Sequence, residues 1–233
     1  MSTLTIEQQN KITKTLETMP VLCVGVGTAD SACSIAAINL ALTGKLTDYI
    51  PDCMSIVIGR WIIQIQDKMP AEIRNSRRWR SLLPLAAGTG RDRERERLAL
   101  MMEWVWGTVL PTLTPVAEKK RFGSAWAKML ADRTPESAAA AATTARIAYY
   151  AYAAYAARVA NYAATAAAAA ASITDSSSAS AAFHAAYAGT SASASSAASA
   201  FDTLYALGIS DQYWTSIDPC AMLERLILAP SPQ

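Results

Sequence analysis

Residues 134–171 read TPESAAAAATTARIAYYAYAAYAARVANYAATAAAAAA, and the fold turns on what this stretch becomes. Its opening is a helix start. Thr134 is a capping residue, and Pro135 suits the first helical position, where its missing N–H costs nothing. Glu136 puts negative charge at the positive end of the helix dipole. Alanine is the best helix former because it loses no side-chain entropy. The chain has 48 alanines in 233 residues; 32 of them fall between Ala138 and Ala200, where Arg146, Arg158 and Asp175 are the only charged residues. The pattern predicts a long helix to about Ala171, a turn at residues 172–176 with Asp175 as the next cap, and a second Ala/Ser helix from Ser177 to about Leu207, ended by Gly208.

The larger residues in this region are spaced. Tyr152, Tyr155, Val159 and Tyr162 step by three, four and three, a narrow seam at heptad-like intervals. Phe183, Tyr187, Ala194, Phe201 and Leu204 lie near one face of the second helix. Small residues on both helices permit approach below the usual interaxial separation of roughly 8–10 Å. The expectation is a tight antiparallel hairpin about 50 Å long at about 1.5 Å per residue. Alanine burial yields little hydrophobic free energy, so such a hairpin must lie against the rest of the chain or against a second copy. It reads as a packing element of one bundle, as an oligomerisation arm with Tyr152, Tyr155, Val159 and Tyr162 at the interface, or as a spacer. It does not read as a membrane span: alanine contributes almost nothing to insertion, and Arg146 and Arg158 would each cost about 2.5–3.5 kcal/mol at hydrocarbon depth.

Working outward, Thr3 to Met19 is a predicted helix with Leu4, Ile12, Leu16 and Met19 near one face. Residues 21–27 are a short strand or a tight apolar connection. Further helices are expected from Asp30 or Ser31 to about Leu42, Pro51 to about Met69, Ala71 to Leu83, Arg91 to Leu110 and Val116 to Asp132. In the last of these, Phe122, Trp126 and Met129 fall at i, i+4, i+7. A final helix starts at Asp218-Pro219 and runs through Leu228. The fold class is all-α: a helical bundle with an Ala-rich antiparallel hairpin. Composition divides it into a helical domain at 1–133, the hairpin at 134–208, and a C-terminal helix and tail at 209–233 that pack back on the bundle.

Charge is balanced, 21 Lys+Arg against 19 Asp+Glu. That excludes a nucleic-acid coat or an acidic DNA mimic, and no specific nucleic-acid partner is expected. Cys23, Cys33, Cys53 and Cys220 form no C-x-x-C pair and read as reduced, buried small residues. His184, the only histidine, has no Cys, Asp or Glu at i±3 or i±4, so it reads as a helix-surface or interface residue. No metal site or cofactor is expected. The N-terminus lacks the apolar core of a signal peptide, which predicts a cytoplasmic protein.

The segment 74–97 concentrates the charge. It holds eight arginines, at 74, 77, 78, 80, 91, 93, 95 and 97, against Asp92, Glu94 and Glu96. Arginine grips phosphate and carboxylate bidentately. Arg74, Arg77, Arg80 and Arg91 are candidate phosphate ligands, Trp79 a candidate stacking face for a base, and Gly88-Thr89-Gly90 ahead of a helix a candidate anion cradle. The competing reading takes the alternating run 91–97 as a solvated face with i,i+3 pairs, Asp92 with Arg95 and Glu94 with Arg97, or as a protein-contact patch. Arg60 and Asp67, seven apart on a strongly apolar helix, suggest either buried ion pairing that reaches Arg74 or the wall of a pocket. Gly25-x-Gly27 has Asp30 where a dinucleotide fingerprint needs glycine, and Gly88–Arg91 lacks the G-K-[ST] of a P-loop. No Ser-His-Asp or paired-carboxylate machinery is present, so an enzyme is not expected.

The runs Leu46-Thr47-Asp48-Tyr49-Ile50-Pro51-Asp52-Cys53-Met54, Ile58-Gly59-Arg60-Trp61, Arg74-Asn75-Ser76 and Trp79-Arg80 resemble uncharacterised Ala-rich accessory proteins of tailed bacteriophages. So does an Ala/Tyr/Ser-rich second half closed by Asp218-Pro219-Cys220-Ala221-Met222-Leu223-Glu224-Arg225-Leu226. The resemblance covers most of the chain and implies a setting only, the cytoplasm of an infected bacterium; the family carries no function over, and countering host defences is a general association of phage accessory proteins. Two functions are then expected. One is an anti-defence binding protein that sequesters a small phosphate-bearing, nucleotide-like ligand. The other is an oligomeric or host-protein-binding module with no small-molecule ligand.

Overall fold

Thr5 ahead of Ile6 begins the first helix through a reciprocal cap. Its hydroxyl accepts from the Gln8 N–H, and the Gln8 side chain accepts from the Thr5 N–H. The computed structural model describes residues 4–119, 122–147, 190, 195, 197–205, 208 and 210–231. These are mostly helical, with one small three-stranded sheet. The expected interior of the Ala-rich hairpin lies outside the described residues, and with it Tyr152, Tyr155, Val159, Tyr162 and His184. The chain forms two compact units, residues 1–97 with 219–233 and residues 98–218. This division follows packing, whereas divisions at 133/134 and 208/209 follow composition.

In the first unit, helix α1 (Ile6–Thr18) is followed by β1 (Val21–Leu22), β2 (Gly27–Thr28) and β3 (Ser31–Ala32), in the order β1-β3-β2 with β1 parallel and β2 antiparallel to β3. The all-α expectation is thus met approximately: the described residues are mostly helical, and this minimal sheet is the addition to it. Gly27 sits where a Cβ would lie 2.0 Å from the Ser31 carbonyl oxygen, so this hairpin closes only on glycine. Because Ser31 and Ala32 are in β3, the next helix starts later than Asp30 or Ser31 suggests. The Cys33 sulfur caps α2 (Ser34–Thr43) by accepting from the Ala36 N–H.

Helix α3 (Ile56–Gln66) is capped by Ser55 and buried along most of its length. The expected helix 71–83 is two: α4 (Ala71–Arg74) and, after a new cap at Ser76, α5 (Arg77–Ala87), which runs through Pro84 rather than stopping before it. Helix α6 (Glu94–Trp104) starts within this unit. The C-terminal helix, labelled α11 below (Pro219–Ile227), packs on α3 and α5. The core joins Ile12 and Leu16 of α1, Ile35 and Ile38 of α2, Ile58, Trp61, Ile62 and Ile65 of α3, Trp79 and Leu83 of α5, and Leu223 and Leu226 of α11.

In the second unit the chain makes a π-helical turn (Val105–Val109) and a 3-10 turn (Leu110–Leu113), then α7 (Thr114–Lys119). Pro111 lies in the first turn of the 3-10 segment, where its missing N–H is tolerated, so the expected connection between Pro111 and Pro115 is helical. Helix α8 (Gly123–Asp132) buries Trp126 and Met129, with Phe122 edge-on to Trp126 at 6.0 Å. Arg133, in the left-handed region (φ 54°), ends it. Helix α9 (Pro135–Ile147) starts as its sequence predicts, the Thr134 hydroxyl accepting from the Ser137 N–H at 3.2 Å. Residues 197–205 are helical, and α10 (Tyr213–Ile217) follows. Tyr213 donates its hydroxyl to the Ala197 carbonyl at 2.6 Å, and Phe201 packs against Tyr213 and Trp214.

Candidate functional site

The eight arginines of segment 74–97 are mostly committed to the fold. Arg74 is 8% exposed. Its Nε donates to the Leu22 carbonyl at 2.9 Å, and its Nη1 to the Gln66 and Met69 carbonyls at 2.8 and 2.9 Å. It thus sets a positive charge on the carbonyl end of α3 and ties β1 to it. Asn75 completes the edge of β1, accepting from the Leu22 N–H at 2.7 Å and donating to its carbonyl at 3.2 Å. Arg80 uses all five of its donors. Nε reaches the Asn75 carbonyl, Nη1 the Leu16 and Met19 carbonyls, and Nη2 the Pro20 carbonyl and the Asn75 side-chain oxygen. Burial lowers its pKa, and the carbonyls at the end of α1 hold the charged form.

Trp79 is fully buried, donates its Nε1–H to Ser34 Oγ at 3.1 Å and lies 6.2 Å from the Trp61 ring. It offers no face to a base, which corrects the stacking expectation. Arg78 makes a two-point pair with Glu224, at 2.9 and 3.0 Å, fastening α5 to α11. Arg91 pairs with Asp52 at 3.1 Å and donates to the Met54 carbonyl. Arg93 reaches the Ala229 carbonyl at 2.6 Å. Arg97, 2% exposed, bonds to the Leu226, Gly90 and Thr89 carbonyls, and burial lowers its pKa.

The N-terminus that holds an anion is that of α3, not that of the helix after Gly88-Thr89-Gly90, and the anion comes from the chain itself. Glu94 accepts from Ser55 Oγ at 2.7 Å, from the Ile56 N–H at 2.7 Å and from the Val57 N–H at 3.1 Å, placing its carboxylate on the N-terminus of α3. Glu94 therefore does not supply the expected pair to Arg97. The glycine turn is consumed as well: Thr89 Oγ1 accepts from the Ser55 N–H, and the Gly90 N–H donates to the Cys53 carbonyl at 2.9 Å. Asp67 is exposed and accepts from the Gly25 N–H at 3.4 Å, and Arg74 bonds to carbonyls rather than to it. Arg60 is half-buried. Burial raises the Cys33 and Cys53 thiol pKa values. Among the described residues no cluster of three His, Cys, Asp or Glu side chains could hold a metal ion. None of the described helices is long and apolar enough to cross a membrane.

Among the described residues, a groove of about 550 Å³ lies between α1 and α5. Gln9, Asn10, Thr13 and Glu17 form one wall and Asn75, Arg77, Arg80 and Ser81 the other, over Leu16, Pro84 and Leu85. The helices run antiparallel here, because Arg80, early in α5, caps the last carbonyls of α1. Glu17, Arg77 and Arg80 therefore share one end, and Gln9 and Leu85 the other, where both also line a second recess of about 390 Å³. Arg77 is exposed, and among the described residues its guanidinium has neither a hydrogen bond nor an ion pair. The α1 residues carry no motif. The only sequence signal for them is the polar face of an amphipathic helix, which any surface helix shows. Comparison with models of protein families, with curated proteins and with solved structures finds no match.

Proposed function

We propose that this chain is a binding protein rather than an enzyme, and that the α1–α5 groove takes a small anionic ligand of nucleotide type. The observation that carries this reading is Arg77: an exposed guanidinium with no hydrogen bond or ion pair among the described residues, at a groove of about 550 Å³, a size typical of small-molecule sites. Arg77 grips the phosphate bidentately, Arg80 adds a fixed positive field from behind, and the Gln9 and Asn10 amides offer paired donors and acceptors to the remainder of the ligand. Arg74, Trp79 and Arg91 are bonded within the chain and do not touch the ligand. With the resemblance to phage accessory proteins, this reading becomes sequestration of a nucleotide defence signal in the cytoplasm of an infected bacterium.

Isothermal titration with linear and cyclic nucleotides tests it. Micromolar binding to at least one is expected, weakened about tenfold or more by Arg77→Ala, the loss of one charge-assisted hydrogen-bonding group. Absence of heat with all of them refutes it.

A second reading has its own support. Ala138 and Ala141 on α9, and Ala197 and Ala200 in the segment before α10, are all buried at i,i+3 spacing. Small residues buried on both limbs favour the close antiparallel hairpin, with Tyr152, Tyr155, Val159 and Tyr162 as a seam for homo-oligomerisation or a host protein. Light scattering of the full chain tests this: an oligomer that dissociates on Tyr152→Ala/Tyr155→Ala/Tyr162→Ala is expected, and a monomer refutes self-association.

A further inference from the structure

Glu17 lies at the same end of the α1–α5 groove as Arg77 and Arg80, and among the described residues it is paired with neither. Cation and anion thus face one binding end without neutralising each other in an ion pair. Arg80 brings charge but no donor, since Leu16, Met19, Pro20 and Asn75 take all its N–H groups. One guanidinium, that of Arg77, is left to make bonds.

We infer, resting on the reading above, that the groove is built for a ligand with a single phosphate, and that Glu17 is the specificity-determining residue that rejects di- and triphosphates. A phosphate monoester carries about −1.5 to −2 charges near neutral pH. One two-point guanidinium contact with the Arg80 field behind it matches that charge. Each further phosphate adds negative charge that, among the described residues, finds no second free guanidinium at this end and lies beside the Glu17 carboxylate, and like charges disfavour binding. Glu17 is exposed, so its effect is screened and moderate rather than absolute. Without Glu17 the same end would be a simple cationic patch, and affinity would rise with phosphate count.

The experiment titrates adenosine 5′-mono-, di- and triphosphate, without divalent metal and at fixed low ionic strength, into the full chain, Glu17→Gln and Arg77→Ala. Glu17→Gln is isosteric at an exposed position and removes only the charge. The parent should bind the monophosphate roughly tenfold tighter than the triphosphate. Glu17→Gln should shrink that ratio to about twofold, chiefly by gaining triphosphate affinity, and Arg77→Ala should weaken all three. A parent that binds triphosphate as tightly as monophosphate, or a ratio unchanged by Glu17→Gln, overturns the charge selection while leaving the groove as a nucleotide site. No binding of any of the three overturns the monophosphate selection, and absence of heat with the cyclic nucleotides as well overturns the nucleotide reading itself.

Discussion

Glu94→Ala removes the anion that the protein supplies to its own helix. Three donors converge on that carboxylate: the Ser55 hydroxyl, the Ile56 N–H and the Val57 N–H. A hydrogen bond to a charged group contributes about 1.5–3 kcal/mol, and the three are not additive because they share one acceptor group. Water reaches this half-buried site in the variant, and Ser55 Oγ still accepts from the Ile58 N–H. The cost should therefore be about 2–4 kcal/mol. At roughly 2–4 °C per kcal/mol for a chain of this length, Tm falls by about 10 °C. Glu94→Gln keeps one acceptor oxygen but turns an amide N–H₂ toward donors, and should lose about half as much. Thermal unfolding followed by far-ultraviolet circular dichroism reads the difference, with Glu96→Ala on the next residue but one as a control expected within about 0.5 kcal/mol of the parent. Glu94→Ala indistinguishable from that control would refute the internal-anion account of the α3 N-terminus.

Trp79→Phe deletes the Nε1–H bond to buried Ser34 and leaves a small void. It should cost about 1–3 kcal/mol by chemical denaturation while leaving nucleotide affinity unchanged; a selective loss of affinity would return Trp79 to the ligand. Tyr213 is pushed well above the ordinary phenol value of 10.0, mainly by burial with a contribution from Asp202. Its folded pKa exceeds the unfolded one, so its contribution is fully present below about pH 10 and is lost as pH rises beyond it. Tyr213→Phe should flatten that alkaline loss in pH-dependent unfolding, and an unchanged alkaline limb would contradict it.

Local signals carried further in the sequence than long-range ones. Thr134-Pro135-Glu136 starts a helix because cap, fixed φ and dipole act within four residues, and the Phe122–Trp126–Met129 stripe buries as its spacing requires. Two-residue strands at 21–32 are too short to show an alternating pattern, and the sulfur cap at Cys33 follows from their pairing. The arginine cluster was visible as composition, but its meaning was not. Arg74 finds Leu22, Arg97 finds Leu226 and Glu94 finds Ser55 across 52, 129 and 39 residues. A guanidinium that ends a helix and one that awaits a phosphate are the same letter until tertiary packing decides which carbonyls lie within reach. The groove residues Gln9, Asn10 and Glu17 were illegible for the converse reason: nothing local distinguishes a polar helix face that lines a groove from one that meets water.

The α1–α5 groove is proposed to hold a phosphate at Arg77. A crystal structure of the full chain with adenosine 5′-monophosphate tests it most directly. The phosphate should lie within hydrogen-bonding distance of the Arg77 guanidinium, with Arg80 and Trp79 unmoved in their present bonds. A nucleotide bound elsewhere, or a groove left empty at saturating ligand, would contradict it.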